Sequence, residues 1–168
     1  MSFSNKPVPA LGALLALVLL SSSSAAAAAP TNSGWSLNFT PTLISEDGYD
    51  FGGGVDPEVK YTLDLGGARL SSGARVGAFY ARNLFGVMVM PTVRLAAPMG
   101  AFEPYTSFGV GYGRVTQTGH GDMAAMSRVG FVYRFTEKLA MGVEGTIQKI
   151  EGSDFRFPSL GSLFSYEL

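Results

Sequence analysis

The sequence predicts an all-β protein, an eight-stranded antiparallel up-and-down transmembrane β-barrel. Three observations support this fold class. The chain begins with a segment typical of exported proteins, the remainder alternates apolar and polar residues with period two, and glycine is frequent throughout, with 22 residues among 168. Period-two alternation indicates strands with two different faces, and dispersed glycine disfavours long helices.

The first 28 residues have the three-part pattern of a secretory signal peptide. Lys6 gives a positive start, residues 11–20 are almost wholly apolar, and residues 21–29 are small and end in alanines. The apolar run is too short to span a bilayer, which needs about 20 residues. We therefore expect residues 1–28 to be cleaved and residues 29–168 to form one barrel domain. A short N-terminal membrane anchor is the alternative.

Composition excludes several classes of function. The chain has no cysteine, which rules out disulfides, thiol catalysis, thiolate metal sites and acylation at a cysteine. Removing residues 1–28 removes Lys6 and no acid, so the mature chain is slightly acidic. Without an excess of basic residues, nucleic acid is not an expected partner.

Eight runs of alternating residues follow the signal segment. They cover residues 35–43, 55–65, 69–80, 85–95, 103–113, 128–135, 139–148 and 160–168. Each is close to the roughly 9 to 11 residues that a tilted membrane strand needs. An even number of strands places both ends of the barrel chain on the same side of the membrane.

The links between the runs alternate in length. Short links at 66–67, 96–100 and 136–138 alternate with longer polar or glycine-rich links at 45–54, 114–124 and 150–158, although the link at 81–84 is also short. Short turns on one rim and long loops on the other are typical of outer-membrane barrels.

Prolines inside the runs oppose the strand assignment, because proline cannot donate to a strand ladder. They are Pro41, Pro57, Pro91 and Pro104.

The polar face of each run is predicted to line the lumen. It combines glycine with charges of both signs, which suits a narrow interior, whereas the apolar face is large and often aromatic and has room only outside. The predicted lumen charges are Asp56, Glu58, Lys60, Asp64, Arg69, Arg75, Arg94, Glu103, Arg128, Arg134, Glu144 and Glu167. Because the two signs roughly balance, a salt-bridged plug is favoured over an open channel. A soluble lipocalin-like barrel with an apolar interior is the alternative.

Aromatic residues near the ends of the runs predict interfacial girdles. They are Trp35, Tyr61, Tyr80, Tyr112, Tyr133, Phe135, Phe164 and Tyr166. Core packing in a soluble β-sandwich is the alternative interpretation of the same residues.

Two stretches resemble a known superfamily. Residues 104–113 (PYTSFGVGYG) resemble a strand of the outer-membrane β-barrels of the OmpA and OmpX type. The chain ends in a glycine followed by aromatics at alternate positions, Gly161, Phe164 and Tyr166, which resembles the signal read by the barrel-assembly machinery, with Leu168 where phenylalanine is usual. The resemblance implies an outer-membrane location, the assembly machinery as a partner during biogenesis, and contact with membrane lipid or lipopolysaccharide. It implies no single activity.

No convergent catalytic site is apparent in the sequence. His120 is the chain's sole histidine, and with Asp122 it could bind a metal or begin a triad, but a solvated loop histidine is favoured because neither arrangement is complete. Lipid A deacylase barrels resemble this chain in size and use a histidine and a serine on the outer face. His120 occupies no matching strand position, and Ser107 and Ser127 have inward parity.

Glu46, Asp47 and Asp50 form an acidic loop that could hold a divalent cation, although a solvated acidic surface is favoured. The sequence thus predicts a monomeric, non-enzymatic barrel without catalytic residues, cofactor or metal, which acts in structure or surface interaction. A narrow passive pore and a soluble periplasmic lipid-binding barrel are the alternatives.

Overall fold

A computed structural model describes residues 33–46, 50–81, 84–116, 121–151 and 156–168, and these residues form a closed antiparallel barrel. The strands are β1 (Gly34–Glu46), β2 (Asp50–Asp64), β3 (Arg69–Ala81), β4 (Leu84–Ala96), β5 (Phe102–Val115), β6 (Gly121–Arg134), β7 (Leu139–Ile150) and β8 (Arg156–Glu167). Each strand pairs with its sequence neighbours, and β8 pairs with β1. This confirms the predicted fold class. Among the described residues, no helix is long and apolar enough to cross a membrane.

One rim of the barrel, here called the turn rim, holds the connections β2–β3, β4–β5 and β6–β7. The first turn is tight because Gly66 has a φ of 80° and its amide donates to Asp64 Oδ1 at 2.8 Å, while Gly100 turns the second at a φ of 65°. Both angles lie in the left-handed region that favours glycine. In the third turn, Thr136 Oγ1 accepts from the Leu139 amide at 3.0 Å. The opposite rim is the loop rim.

The strands extend beyond the predicted runs, so the loops at the loop rim are shorter than expected. β2 begins at Asp50, β6 at Gly121 and β8 at Arg156, inside segments that the sequence assigned to loops 45–54, 114–124 and 150–158. In β6, Ala124 pairs with Gly111 on one side and with Ile150 on the other. Neighbouring strands therefore impose an extended conformation where local alternation is weak.

Three of the prolines occupy mid-strand positions and still fit the barrel. Pro41, Pro57 and Pro91 lie on the outward face, and each coincides with an interruption in one ladder, β1–β8, β2–β3 and β4–β5 respectively. The missing proline N–H explains the interruption, since the other ladder of each strand is continuous there. Pro104 lies near the turn rim, where its carbonyl accepts from the Ala97 amide at 3.0 Å.

Candidate functional site

The outer wall of the barrel is covered with exposed large apolar side chains. They include valine, leucine and phenylalanine on all eight described strands, such as Leu37, Val59, Val76, Val93 and Phe108. A soluble barrel would bury these residues, whereas a wall that contacts lipid exposes them. This face is the first candidate surface for function.

The predicted girdle residues lie at the two ends of this wall. All of them are exposed except Tyr61, which is half-buried. Near the turn rim, Trp35 and Tyr61 pack edge to face with their ring centroids 5.3 Å apart, and Tyr133 and Phe135 do so at 5.1 Å. Tyr80 and Tyr112 lie toward the loop rim, near the ends of β3 and β5. Phe164 and Tyr166 lie on β8 near the turn rim.

Charged side chains fill the half of the interior nearer the turn rim. Nine of the predicted lumen charges are buried, Asp56, Glu58, Lys60, Arg69, Arg75, Arg94, Glu103, Arg128 and Glu144. Asp64, Arg134 and Glu167 are half-buried at the turn rim. Apart from Lys60, these charged residues pair with one another in two clusters, one in the middle of the barrel and one at the turn rim. The parity of the sequence cannot predict these pairings.

The central cluster surrounds Glu144, which is 0% exposed. Its carboxylate accepts from Arg75 at 3.3 Å, from Arg128 at 3.4 Å and from the Tyr105 hydroxyl at 2.6 Å. Arg75 also forms an ion pair with Asp56 at 2.6 Å. Each charged side chain of the central cluster therefore has an opposite charge within bonding distance, as burial in a low-dielectric interior requires.

Arg128 joins the central cluster to a second carboxylate. It donates to Glu58 at 2.8 Å and to the Ser107 hydroxyl at 3.1 Å. Glu58 also accepts from the Thr92 hydroxyl at 2.6 Å and from the Asn38 amide at 3.2 Å. These bonds join five strands across the lumen, namely β1, β2, β4, β5 and β6.

The cluster at the turn rim is organised around Glu103. Arg69 donates to its carboxylate at 2.7 Å, and Arg94 does so at 3.2 Å, while Arg134 approaches at 3.5 Å and also pairs with Glu167. Arg69 forms a further ion pair with Asp64 at 3.3 Å. The Arg94 guanidinium lies 3.5 Å from the centroid of the Tyr105 ring, a cation–π contact that links the two clusters.

Lys60 differs from the other interior cations. It is buried, yet it forms no ion pair within 4.0 Å with any residue that the structure describes. With Lys60 included, the twelve predicted lumen charges comprise six acidic and six basic residues.

The half of the interior nearer the loop rim is apolar, which differs from the polar lumen that the sequence predicts. Ile44, Phe79, Ala81, Leu84, Met88, Met90, Val115, Ala124, Met126 and Ile150 form one buried cluster there. Met90 is 0% exposed. The sequence held a partial signal, since Met88 and Met90 interrupt the polar face of β4. Other members of the cluster lie in segments that the sequence assigned to links between strands, namely Ala81, Leu84, Val115, Ala124 and Ile150.

The described residues hold little that suggests catalysis. Ser107 is fully buried and hydrogen-bonded to Arg128, so its hydroxyl does not reach the surface. The predicted inward parity of Ser127 is wrong, because Ser127 pairs with the exposed Phe108 and Ile147 and lies half-buried on the outward face, opposite to its neighbour Arg128. No group of three His, Cys, Asp or Glu side chains within the described ranges is placed to hold a metal ion. His120 and Asp47, and the side chains of Glu46 and Asp50, lie outside the described part of the chain.

The predicted assembly signal is the end of β8. Gly161 lies on the inward face, and Phe164 and Tyr166 lie on the outward face beside β1 and β7. Leu168 follows the end of β8 and is exposed. The Leu168 amide donates to the Trp35 carbonyl at 3.0 Å, so the end of the chain is tied to the start of β1. Recognition of this segment by the assembly machinery stays a prediction.

Comparison with known proteins shows the fold. The sequence matches no protein-family model and no curated protein. Among solved structures, the outer membrane enzyme PagL is similar with a TM-score of 0.58 and 12% identity, over 78% of this chain and 99% of that one. Neisserial surface protein A has a TM-score of 0.55 and 11% identity, over 80% and 96%.

Ail, the attachment invasion locus protein of Yersinia pestis, has a TM-score of 0.55 and 12% identity, over 81% of this chain and 97% of that one. At such low identity these similarities establish a shared architecture and not a shared activity. The predicted resemblance to small eight-stranded outer-membrane barrels is confirmed at the level of the fold.

Proposed function

We propose that this protein spans an outer membrane as a monomeric barrel with a closed lumen, and that it acts through the surface that its loop rim presents. The role is structural or interactive and not enzymatic. The single observation that supports this proposal best is the reversal of ordinary burial. Charged side chains are buried inside, while large apolar side chains are exposed outside.

The apolar exterior supports the membrane placement. A closed barrel pairs the backbone groups of its wall within the sheet, so the wall can lie in hydrocarbon without unsatisfied backbone donors. Aromatic side chains at both ends of the wall suit the two membrane interfaces. A soluble lipid-binding barrel would need the opposite arrangement, with apolar residues inside and polar residues outside.

The filled interior supports a closed lumen. Residues that line a water-filled channel keep accessible surface, whereas Arg75 is 1% exposed and Glu144 and Ser107 are 0% exposed. Met90 and the apolar cluster around it form a second barrier nearer the loop rim. An ion would have to break the central ion pairs and then enter an apolar region, and both steps are costly.

Planar-bilayer recording tests the closed lumen. We expect no steady single-channel conductance from purified protein whose insertion is verified by the difference in gel mobility between unheated and boiled samples. Steady conductance steps from inserted protein would refute the closed lumen and favour the narrow pore.

The similar structures support an interactive role without defining it. One is a neisserial surface protein and another is an attachment invasion locus protein, although PagL is an outer membrane enzyme. We propose that the loop rim of this barrel binds an external partner. Incubation with outer-membrane lipids, followed by mass spectrometry, checks the non-enzymatic part. The lipids should remain unchanged, and release of a fatty acid would contradict the proposal.

A further inference from the structure

The outer wall contains a shallow apolar groove near the loop rim, on β2, β3 and β4. Its volume is about 300 Å³, and Gly53 and Ala78 form its floor because their side chains are absent or short. Val55, Tyr80 and Phe85 flank the floor. The groove is therefore a local gap in a wall that presents large apolar side chains on all eight described strands.

A cation lies beside this groove. Ala78 on β3 pairs with Val87 on β4, and Val87 pairs with Arg114 on β5, so the three residues lie in one line across the sheet. Two strand spacings therefore place the Cα atom of Arg114 about 10 Å from the Cα atom of Ala78 in the groove floor. Arg114 is exposed near the end of β5 at the loop rim, and it forms no ion pair with a described residue.

We propose that the groove and Arg114 together bind one phosphate-bearing lipid of the membrane leaflet on the loop side. An acyl chain packs over Gly53 and Ala78 against Tyr80 and Phe85, and the lipid phosphate accepts hydrogen bonds from the Arg114 guanidinium. The inference rests on the proposed membrane placement of the wall.

The geometry favours a lipid over other occupants. The groove lies within the apolar belt of the wall, where acyl chains are the surrounding medium, and Arg114 lies at the level of the aromatic band that contains Tyr112. An arginine at this level can extend its aliphatic stem along the wall and place its charge among the headgroups. A guanidinium binds phosphate through paired, charge-assisted hydrogen bonds. The groove is also lined by only seven residues, far fewer than the roughly 20 to 30 residues that each side of a stable protein interface contributes.

Two substitutions separate the contributions of the chain and the phosphate. Gly53→Leu fills the floor without disturbing the sheet, because a β-carbon at Gly53 would meet only the Thr42 carbonyl oxygen, at 3.6 Å. Arg114→Gln removes the cation. Gly145→Leu is a matched control on β7, where a β-carbon would meet only the Val129 carbonyl oxygen at 4.0 Å. Lys149 is an exposed cation on β7, away from the groove, and Lys149→Gln is the control for the loss of charge.

Native mass spectrometry of the folded barrel in detergent micelles measures lipid retention. The probes are a bisphosphorylated acylated glucosamine disaccharide, its dephosphorylated form, phosphatidylglycerol and inorganic phosphate. We expect one phosphorylated lipid per barrel, the two phosphorylated probes showing which backbone is preferred. Arg114→Gln should weaken binding about tenfold, the effect of losing one charge-assisted bond. Gly53→Leu should weaken binding of all lipid probes, and the two controls should leave retention unchanged.

Several results would overturn the inference. These are equal retention of the phosphorylated and dephosphorylated glycolipids, equal losses in the controls, saturation by inorganic phosphate alone, or dimers that Gly53→Leu abolishes, which would assign the groove to a second copy. Failure of the inference is distinguishable from failure of the proposed function. A barrel that is folded in micelles but retains no lipid refutes only the lipid site, whereas a chain that stays soluble without detergent refutes the membrane placement.

Discussion

Removing the Arg128 cation tests the central ion-pair cluster. Arg128 is the cation within bonding distance of Glu58, at 2.8 Å, and it also contacts Glu144 at 3.4 Å. Replacement by methionine keeps much of the volume but leaves the buried Glu58 carboxylate without its ion pair. Glu144 keeps Arg75 and the Tyr105 hydroxyl. Stranding one buried charge costs about 3–5 kcal/mol, so Arg128→Met should lower the free energy of unfolding by that amount.

The matched comparison is Arg134→Met at the turn rim. Arg134 pairs with Glu167 and Glu103, but its side chain is 15% exposed and that of Glu167 is 34% exposed, so water can solvate what the substitution leaves behind. We expect a loss of about 1 kcal/mol or less. The double variant Arg128→Met with Glu58→Gln should recover part of the larger loss, because the stranded carboxylate is then neutral.

Urea unfolding in lipid vesicles measures these differences. Trp35 is the chain's sole tryptophan and lies exposed on the outer wall, so its fluorescence reports whether β1 has left the bilayer. Equal losses for Arg128→Met and Arg134→Met, both about 1 kcal/mol or less, would refute the argument that the central ion pairs are shielded from water.

Gly86→Ala should destabilise the barrel by about 1–3 kcal/mol in urea unfolding, because the new β-carbon would collide with the Phe79 ring, whereas Gly53→Ala should be tolerated. Phe164→Ala should reduce the fraction of heat-modifiable barrel in cells while leaving refolding in detergent largely intact, and equal defects in both would contradict a role in assembly. The intact mass of the exported protein should correspond to residues 29–168, and retention of residues 1–28 would favour the membrane anchor.

Period-two alternation predicts the central part of each strand, and the difference between its two faces predicts the class of barrel. It worked because one face of each strand contains large apolar residues and the other contains glycine and charge, a contrast that a membrane wall requires. It failed at the loop rim, where residues such as Ala124 and Ala125 alternate only weakly. Those residues are extended because the neighbouring strands pair with them, and pairing between distant segments is not visible in local sequence.

Parity assigned a face to each charged residue but could not predict its partner. Glu58 and Arg128 are 70 residues apart in sequence, and their bond depends on the register of every intervening strand. The same limit concealed the apolar layer near the loop rim. Phe79 shares the parity of the inward set of its run, Ile150 lies in a segment that the sequence assigned to a loop, and only the registers show that both meet Met88 and Met90 inside the barrel.

Membrane fractionation tests the central claim most directly. We expect the exported protein to remain in the outer-membrane fraction after alkaline carbonate extraction. Unheated and boiled samples should migrate differently in a gel, because the closed barrel resists detergent. Recovery in the soluble periplasm without detergent would contradict the account, because the exposed apolar wall would then have no lipid to cover it.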